Sequence, residues 1–188
     1  MEYFKKLNSI VDKTEANYSK NKNVSLDKAI TDIVNIIAAC NVNENKVIFV
    51  GNGGSAAIAS HTTTDFLKNA KIPAMAFSDV SLLTCLSNDL GYENVFKKPI
   101  EMLAKKDDII FAISSSGSSQ NILNAVNAAK NKGCFVVTLS GFKKNNPLRN
   151  LGDINFYVPS DSYGYVELSH SIICHCISDY LIEKVNGG

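Results

Sequence analysis

Two short, continuously apolar runs constrain this sequence most, because each leads into a polar turn and then into a helix. Residues 46–50 (KVIFV) are followed by the turn 51–54 (GNGG), and residues 108–113 (DIIFAI) are followed by the turn 114–119 (SSSGSS). Uninterrupted apolar runs of this length are typical of strands that are buried on both faces of a parallel sheet. The pattern therefore predicts an α/β protein in which two strands carry functional loops.

The rest of the chain alternates between helical and strand patterns. The predicted helices cover residues 1–20, 25–41, 55–69, 79–87, 92–104, 120–132 and 163–185, and the predicted strands cover residues 46–50, 74–77, 108–113, 134–139 and 154–158. Helices that alternate with short apolar strands form a parallel sheet covered on both sides. We predict a doubly wound, Rossmann-like sheet of the flavodoxin type, with about five strands and with ligands at their carboxyl ends. Residues 1–188 form one predicted domain, with N-terminal helices (a helical arm) over 1–41 and the α/β core and closing helix over 46–188.

Composition and charge exclude several classes of protein. Nineteen Lys and Arg against eighteen Asp and Glu give a formal charge of +1, which argues against a dedicated nucleic-acid-binding protein. No apolar run reaches the length of about 18 residues that a membrane span needs, and no signal-peptide stretch is found at the start, so we expect a cytoplasmic protein without membrane contact. The five cysteines include no CxxC pair, which fits a reducing compartment.

Both polar turns run into a helix N-terminus, where free backbone N–H groups and the helix dipole favour an anion. Glycines allow close approach, and serine hydroxyls add neutral donors. Two such loops on neighbouring strands would surround a small anion such as a phosphate monoester; alternatively, they are ordinary strand-to-helix turns. The first turn also satisfies the dinucleotide fingerprint, but the acidic residue expected about 20 positions later is missing. The nearest candidate, Asp79, lies 28 residues beyond Gly51.

Two histidine–carboxylate pairs lie on two of the predicted helices. His61 and Asp65 are four residues apart and share a helix face, while Glu167 and His175 lie on one stripe of the closing helix. Together they could bind one divalent ion, typically Zn²⁺, or act as an acid–base pair; the alternative is ordinary surface contacts between residues four apart. The third histidine, His170, is expected to face the core or a subunit interface.

In its motifs the chain resembles the sugar isomerase (SIS) domain family. The motifs are GNGGSAA at residues 51–57 followed by His61, SNDLGYE at residues 87–93, and ISSSGSSQN at residues 113–121. Within that family the sequence is most similar to phosphoheptose isomerases, which interconvert sedoheptulose 7-phosphate and D-glycero-D-manno-heptose 7-phosphate. The resemblance implies the SIS fold, proton transfer through an enediol(ate), no nucleotide cofactor, and a part in heptose synthesis for lipopolysaccharide or capsule.

The resemblance also implies roles for individual residues. The implied substrate-binding residues are Asn52, Gly53, Gly54, Ser55, Asp89, Ser114, Ser116 and Ser119, of which the four serines hold the phosphate. Asp65 matches the position of the catalytic base and His175 that of the acid. One zinc ion is expected among His61, Asp65, Glu167 and His175.

Two departures from the family pattern concern the predicted site. Asp65 replaces the usual glutamate, and Glu167 stands where glutamine is usual, within a segment 163–167 (YGYVE) that also differs. A second carboxylate would strengthen the binding of a dication and make the pocket more negative. These changes leave three other functions open: an isomerase of another phosphosugar, a non-catalytic SIS module that binds a sugar phosphate or a partner protein, and, most weakly supported, an NAD-dependent enzyme.

The expected partners are a sugar phosphate and further copies of the chain. The first predicted helix has an apolar face wider than a monomer needs, formed by Tyr3, Phe4, Leu7, Ile10 and Val11. The family resemblance implies a homotetramer in which subunits complete each other's sites.

Overall fold

The computed structural model describes residues 1–19, 22–42 and 44–187, with the side chains of 40–42 and 186 outside the description. The helices are α1 (Glu2–Asp12), α2 (Leu26–Val42), α3 (Gly54–Asp65), α4 (Val80–Leu90), α5 (Lys97–Leu103), α6 (Gln120–Asn131) and α7 (Tyr163–Asn186). The strands are β1 (Glu15–Tyr18), β2 (Lys22–Val24), β3 (Val47–Gly51), β4 (Ala74–Ala76), β5 (Ile109–Ser114), β6 (Phe135–Ser140) and β7 (Ile154–Tyr157).

The strands form one seven-stranded sheet in the order β2-β1-β7-β6-β5-β3-β4. The five strands from β3 to β7 are parallel, and in chain order they are arranged 2-1-3-4-5, as in flavodoxin-type sheets. The predicted doubly wound fold is therefore confirmed. In this arrangement the topological switch point lies between β3 and β5, the two strands that precede the polar turns.

The helix predicted over residues 1–20 is wrong in its second half. α1 ends at Asp12, and β1 forms an antiparallel hairpin with β2 while also pairing antiparallel with β7, from Glu15 opposite Tyr157 to Tyr18 opposite Ile154. The helical apolar pattern stops at Val11. Without β1 beside it, β7 would be an edge strand with unpaired backbone groups. Tertiary pairing thus outweighs local preference here; residue 20 of the predicted helix lies outside the described residues.

The helix predicted over residues 92–104 is also interrupted. The chain makes a short 3₁₀ turn over Tyr92–Asn94 and begins α5 only at Lys97. Gly91, directly before the turn, has a φ of +81°, which ends α4 and redirects the chain. Pro99 lies in the first turn of α5, where its missing N–H costs no helical hydrogen bond.

The core has two layers, one on each face of the sheet. Alternate residues of β3 point to opposite faces: Phe49 belongs to the cluster shared with α2, α3 and α7, and Ile48 belongs to the cluster shared with α5 and α6. Phe49 stacks on Phe111 of β5 at a ring-centroid distance of 4.9 Å and meets Phe66 edge-on at 5.3 Å. Burial of each such ring stabilises the fold by about 1.5–3 kcal/mol, and this packing fixes β3 against β5.

The apolar face of α1 is only partly exposed. Leu7 and Ile10 belong to an apolar cluster that includes Val166 of α7. The Tyr3 ring stacks on Tyr165 at a ring-centroid distance of 4.6 Å, whereas Phe4 remains 60% exposed. α1 is therefore docked on the closing helix rather than projecting as a free arm. Among the described residues, no helix combines the length and the apolar character that a membrane crossing requires.

Candidate active site

The two polar turns meet at one edge of the sheet. β3 and β5 are parallel neighbours with Gly51 opposite Ile113, so the turns that follow them emerge side by side. α3 begins at Gly54 and α6 begins at Gln120, which places both helix N-termini at this edge. The edge therefore brings two helix N-termini together at the switch point, where ligands of such sheets bind.

A cavity of about 130 Å³ lies between the two turns. Its lining residues are Asn52, Ser55, Ile113, Ser114, Ser115, Ser116, Ser119, Tyr163 and Glu167. The four serines predicted from the sequence to hold a phosphate all belong to this lining. Among the described residues the lining contains no lysine or arginine, so neutral donors and helix dipoles would have to attract the predicted anion.

The serine-rich turn keeps hydroxyl groups available for a ligand. Ser119 occupies the N-cap position of α6 but makes no capping hydrogen bond, and its Oγ lies 3.4 Å from that of Ser114. The Ser114 Oγ accepts a hydrogen bond from the N–H of Gly117. Gly117 has a φ of +60°, and a Cβ there would lie 1.9 Å from the Oδ1 of Asn146, so only glycine fits.

The glycines of the first turn bring Glu167 close to the backbone. A Cβ on Gly54 would lie 2.5 Å from the carboxylate oxygens of Glu167, which therefore occupy the space that a side chain would need. Gly53, the residue before α3, has a φ of +54°. These two glycines shape the turn but are not among the residues that line the cavity. Glu167 thus adds a carboxylate to the lining of the cavity that is predicted to hold an anion.

Asp89 lies apart from the cavity in this structure. It is exposed near the end of α4, where its carboxylate accepts a hydrogen bond from Asn88 at 2.9 Å and faces the Cys85 thiol at 3.6 Å. The predicted contact between Asp89 and the sugar chain stays a prediction.

A second group of chemically active side chains lies further along α3 and α7. The Oδ2 of Asp65 lies 3.4 Å from the Nε2 of His61 and 3.8 Å from the Nδ1 of His175. One ligand atom from each residue lies within 4.8 Å of the other two, and the two imidazoles are 61% and 48% exposed. We call these three residues the His–Asp triad. Two nitrogens and one carboxylate oxygen are a donor set that Zn²⁺ accepts in catalytic sites, where water takes the remaining position.

Glu167, the fourth predicted zinc ligand, does not belong to the triad. Its carboxylate lies over Gly54, eight residues before His175 on α7. Its role as a ligand stays a prediction.

His170 lies in the core, which was one of the two locations expected for it. The side chain is fully buried, and its Nε2 donates to the carbonyl oxygen of Ser140 at 3.2 Å. Burial lowers the pKa of His170 to about 4, so the ring is neutral at pH 7. Its Nδ1 has no hydrogen-bond partner among the described residues.

Sequence reasoning did not assign a role to two hydroxyl-bearing residues of the cavity. Ser115 lines the cavity with a buried hydroxyl that has no partner in the described part of the chain, and Tyr163 lines it from the first turn of α7. The run of three serines at 114–116 carried a signal for Ser115, since a polar residue at the end of a buried strand needs a partner. No pattern in the sequence around Tyr163 predicts that this residue lies at the edge of the sheet where the cavity is.

This geometry is that of a sugar isomerase (SIS) domain. The SIS domain family pattern matches residues 2–141. A phosphoheptose isomerase of Coxiella burnetii (strain Dugway 5J108-111) is 37% identical over 177 residues, covering 88% of this chain and 89% of the relative. The chain therefore belongs to the SIS domain family, among the phosphoheptose isomerases.

Solved structures agree with this assignment over nearly the whole chain. A phosphoheptose isomerase from Francisella tularensis superposes with a TM-score of 0.83 at 30% identity, covering 97% of this chain and 95% of the other. A phosphoheptose isomerase from Neisseria gonorrhoeae gives a TM-score of 0.83 at 26% identity, with 96% of both chains covered. The similarity includes the N-terminal segment and the closing helix as well as the parallel sheet.

Proposed function

We propose that this chain is an aldose–ketose isomerase that interconverts sedoheptulose 7-phosphate and D-glycero-D-manno-heptose 7-phosphate. The similar proteins described above carry the name phosphoheptose isomerase. The observation that carries the proposal is that α3 and α7 both contribute first to the serine-lined cavity and then to the His–Asp triad. A phosphate bound in the cavity would direct the rest of the sugar along these helices.

The spacing of the two groups supports a long phosphosugar. Glu167 at the cavity and His175 in the triad are eight residues apart on α7, which corresponds to about 12 Å along the helix. A seven-carbon chain with a terminal phosphate spans such a separation better than a shorter sugar. The carbonyl end of an extended heptose phosphate would then lie next to Asp65.

Within the triad, Asp65 is the proposed base and His175 the proposed acid. Asp65 would remove the proton from the carbon next to the carbonyl, and His175 would move a proton between the two oxygens of the enediol(ate). His61 lies 3.4 Å from the same carboxylate oxygen of Asp65 and would fix its orientation. Positioned proton transfer of this kind contributes about 10²–10⁴-fold to a rate.

The donor set of the triad fits a zinc ion. His61, Asp65 and His175 would hold it, with Glu167 as the predicted further ligand. Bound zinc would supply Lewis-acid stabilisation of negative charge on the substrate oxygens. The number of zinc ions per subunit, measured by elemental analysis of protein purified without chelator, is expected to be one and to fall in a His61→Ala variant.

We also propose that the chain acts as a homotetramer. Leu168, Ile172 and Tyr180 are exposed along α7 beside His175, and half-exposed imidazoles leave the triad open on this side. A second copy packed on this face would bury the apolar side chains and close the triad. Light scattering gives the mass, and an active monomer would contradict the proposal. The cytoplasmic location and the role in surface-polysaccharide synthesis stay predictions.

The deciding experiment is a panel of phosphosugars with five, six and seven carbons, assayed with and without added zinc or chelator. We expect turnover of sedoheptulose 7-phosphate, with deuterium from D₂O incorporated at the carbon that loses its proton. If only a hexose phosphate or a pentose phosphate is turned over, the heptose assignment is wrong and the substrate is the shorter sugar. Binding of phosphosugars without any turnover would favour the non-catalytic SIS module.

A further inference from the structure

A network of three side chains connects the two turns to the segment that follows α4. The Nδ2 of Asn52, in the first turn, donates to the Oδ1 of Asn121 at 3.0 Å, and the Nδ2 of Asn121 donates back to the Oδ1 of Asn52 at 2.9 Å. The hydroxyl of Tyr92 donates to the same Oδ1 of Asn52 at 2.9 Å. We call Asn52, Asn121 and Tyr92 the bridging network.

The network leaves the Asn52 side chain little capacity to bind a ligand. An asparagine amide offers two lone pairs on oxygen and two N–H donors. Both lone pairs of Asn52 and one of its donors are engaged within the network. Asn121 is only 2% exposed and lies in the first turn of α6, so it holds Asn52 from a fixed position. The amide of Asn52 therefore joins the two turns, and its predicted contact with the substrate, which stays a prediction, is left with one N–H donor.

The Tyr92 segment is attached to α6 at a second point. Asn124, one turn after Asn121, donates its Nδ2 to the carbonyl oxygen of Glu93 at 2.9 Å. α4, which precedes this segment, contains no fully buried residue, so these two attachments do much to hold its C-terminal end near the cavity. Asp89, the predicted sugar contact, lies three residues before Tyr92.

We propose that Tyr92 and Asn121 are positioning residues that act through Asn52, holding the two phosphate-binding turns at a fixed separation with the end of α4 beside them. The serine hydroxyls of one turn and the helix N-terminus of the other must face the same phosphate group, and the reciprocal amide pair sets the distance between them. This inference rests on the proposed function, because the ligand it positions is the phosphate of the sugar.

The test compares Tyr92→Phe, Asn121→Ala and Asn52→Ala, with Tyr18→Phe as the control for loss of a tyrosine hydroxyl that makes its hydrogen bond away from the cavity, to Asp32. Loss of one neutral hydrogen bond is expected to raise the KM for sedoheptulose 7-phosphate about five-fold in Tyr92→Phe, with kcat within two-fold and an unchanged Tm. Tyr18→Phe is expected to leave KM and kcat unchanged. The same variants are titrated with inorganic phosphate by calorimetry, and Tyr92→Phe is expected to weaken phosphate binding by a similar factor.

The double variants decide whether the network acts as a unit. If Tyr92 acts through Asn52, adding Tyr92→Phe to Asn52→Ala has no further effect on KM or on phosphate affinity. Multiplying effects, or an unchanged KM in Tyr92→Phe, would overturn the inference. If the wild-type protein binds phosphate but does not isomerise the heptose, the proposed function is wrong. The phosphate affinities of the variants then still test the bridging network. If the wild-type protein neither binds phosphate nor isomerises the heptose, both proposals are overturned.

Discussion

The serine-lined cavity and the His–Asp triad lie on the same two helices but differ in how far one chain completes them. The cavity is enclosed by two turns and α7, and most of its hydroxyl-bearing residues are buried or half-buried. In the triad, by contrast, the imidazoles of His61 and His175 are about half exposed. The difference indicates that a single chain already encloses the proposed phosphate site, while the proposed reacting site is left open to a metal ion, substrate or partner subunit.

The sharpest way to separate the two regions is Asp65→Asn, which removes the charge of the proposed base and keeps its shape. We expect kcat to fall by about 10²–10⁴-fold, while inorganic phosphate still binds in the cavity with unchanged affinity. Asp179→Asn is the matched control, because this exposed carboxylate lies one turn after His175 on α7. Full activity in Asp65→Asn, measured by steady-state kinetics, would remove the proposed base.

His170 provides a second test of the comparison, because its side chain is buried whereas the side chains of the triad histidines are exposed. Its pKa is lowered from 6.5 to about 4 by burial. On acidification the unfolded chain binds a proton through the pH range below about 6.5, while the folded chain binds it only near pH 4. The contribution of neutral His170 to the free energy of unfolding is therefore fully present above pH 6.5. It falls by about 3 kcal/mol as the pH drops to 4.

Urea unfolding of wild type and His170→Gln at pH 7 and pH 4.5 measures this contribution. We expect a smaller loss of stability on acidification in the variant, because glutamine does not titrate. Should the variant not fold, the ring protons of His170 in the wild-type NMR spectrum are expected to keep the shifts of a neutral imidazole at pH 5.5. Protonation of that ring at pH 5.5 would show that His170 is not isolated from solvent.

The contrast also explains which parts could be predicted from the sequence. The turns after β3 and β5 were predictable because a buried strand, a glycine- or serine-rich turn and a helix N-terminus follow one another along the chain. The pairing of His61 with Asp65 was predictable because residues four apart share a helix face. In both cases the residues that allow the prediction are close together in the sequence. The sheet topology then only brings these segments together in space.

Features that depend on long-range packing were not predictable in this way. β1 takes its strand conformation from pairing with β7, which lies well over a hundred residues later in the chain. The bridging network joins Asn52 to residues 40 and 69 positions away. The carboxylate of Glu167 lies against Gly54 only because α7 packs on α3, and no periodicity within α7 indicates that contact.

Within the cavity, Ser119→Ala is the next largest expected effect. Ser119 makes no capping hydrogen bond, so its replacement leaves α6 intact and removes a hydroxyl that faces the cavity, together with its contact to Ser114. A hydrogen bond to a charged phosphate is worth about 1.5–3 kcal/mol, so we expect KM to rise about ten-fold or more with little change in kcat. The exposed neighbour Ser118 provides the control Ser118→Ala. A fall in kcat with constant KM would instead assign Ser119 to the reacting end.

The smallest expected effect concerns the carboxylate that joins the two regions, Glu167. Glu167 lines the serine-lined cavity, and no lysine or arginine in the described part of the chain shares that lining. A negative charge beside a bound phosphate would oppose binding. Glu167→Gln keeps the shape and removes the charge, so KM for the phosphosugar is expected to fall two- to five-fold, about the effect of one partly screened charge. Glu183→Gln, further along α7, controls for the change in net charge. If Glu167 binds zinc instead, the variant loses metal while KM stays constant, and the carboxylate then belongs functionally to the triad although it lies at the cavity.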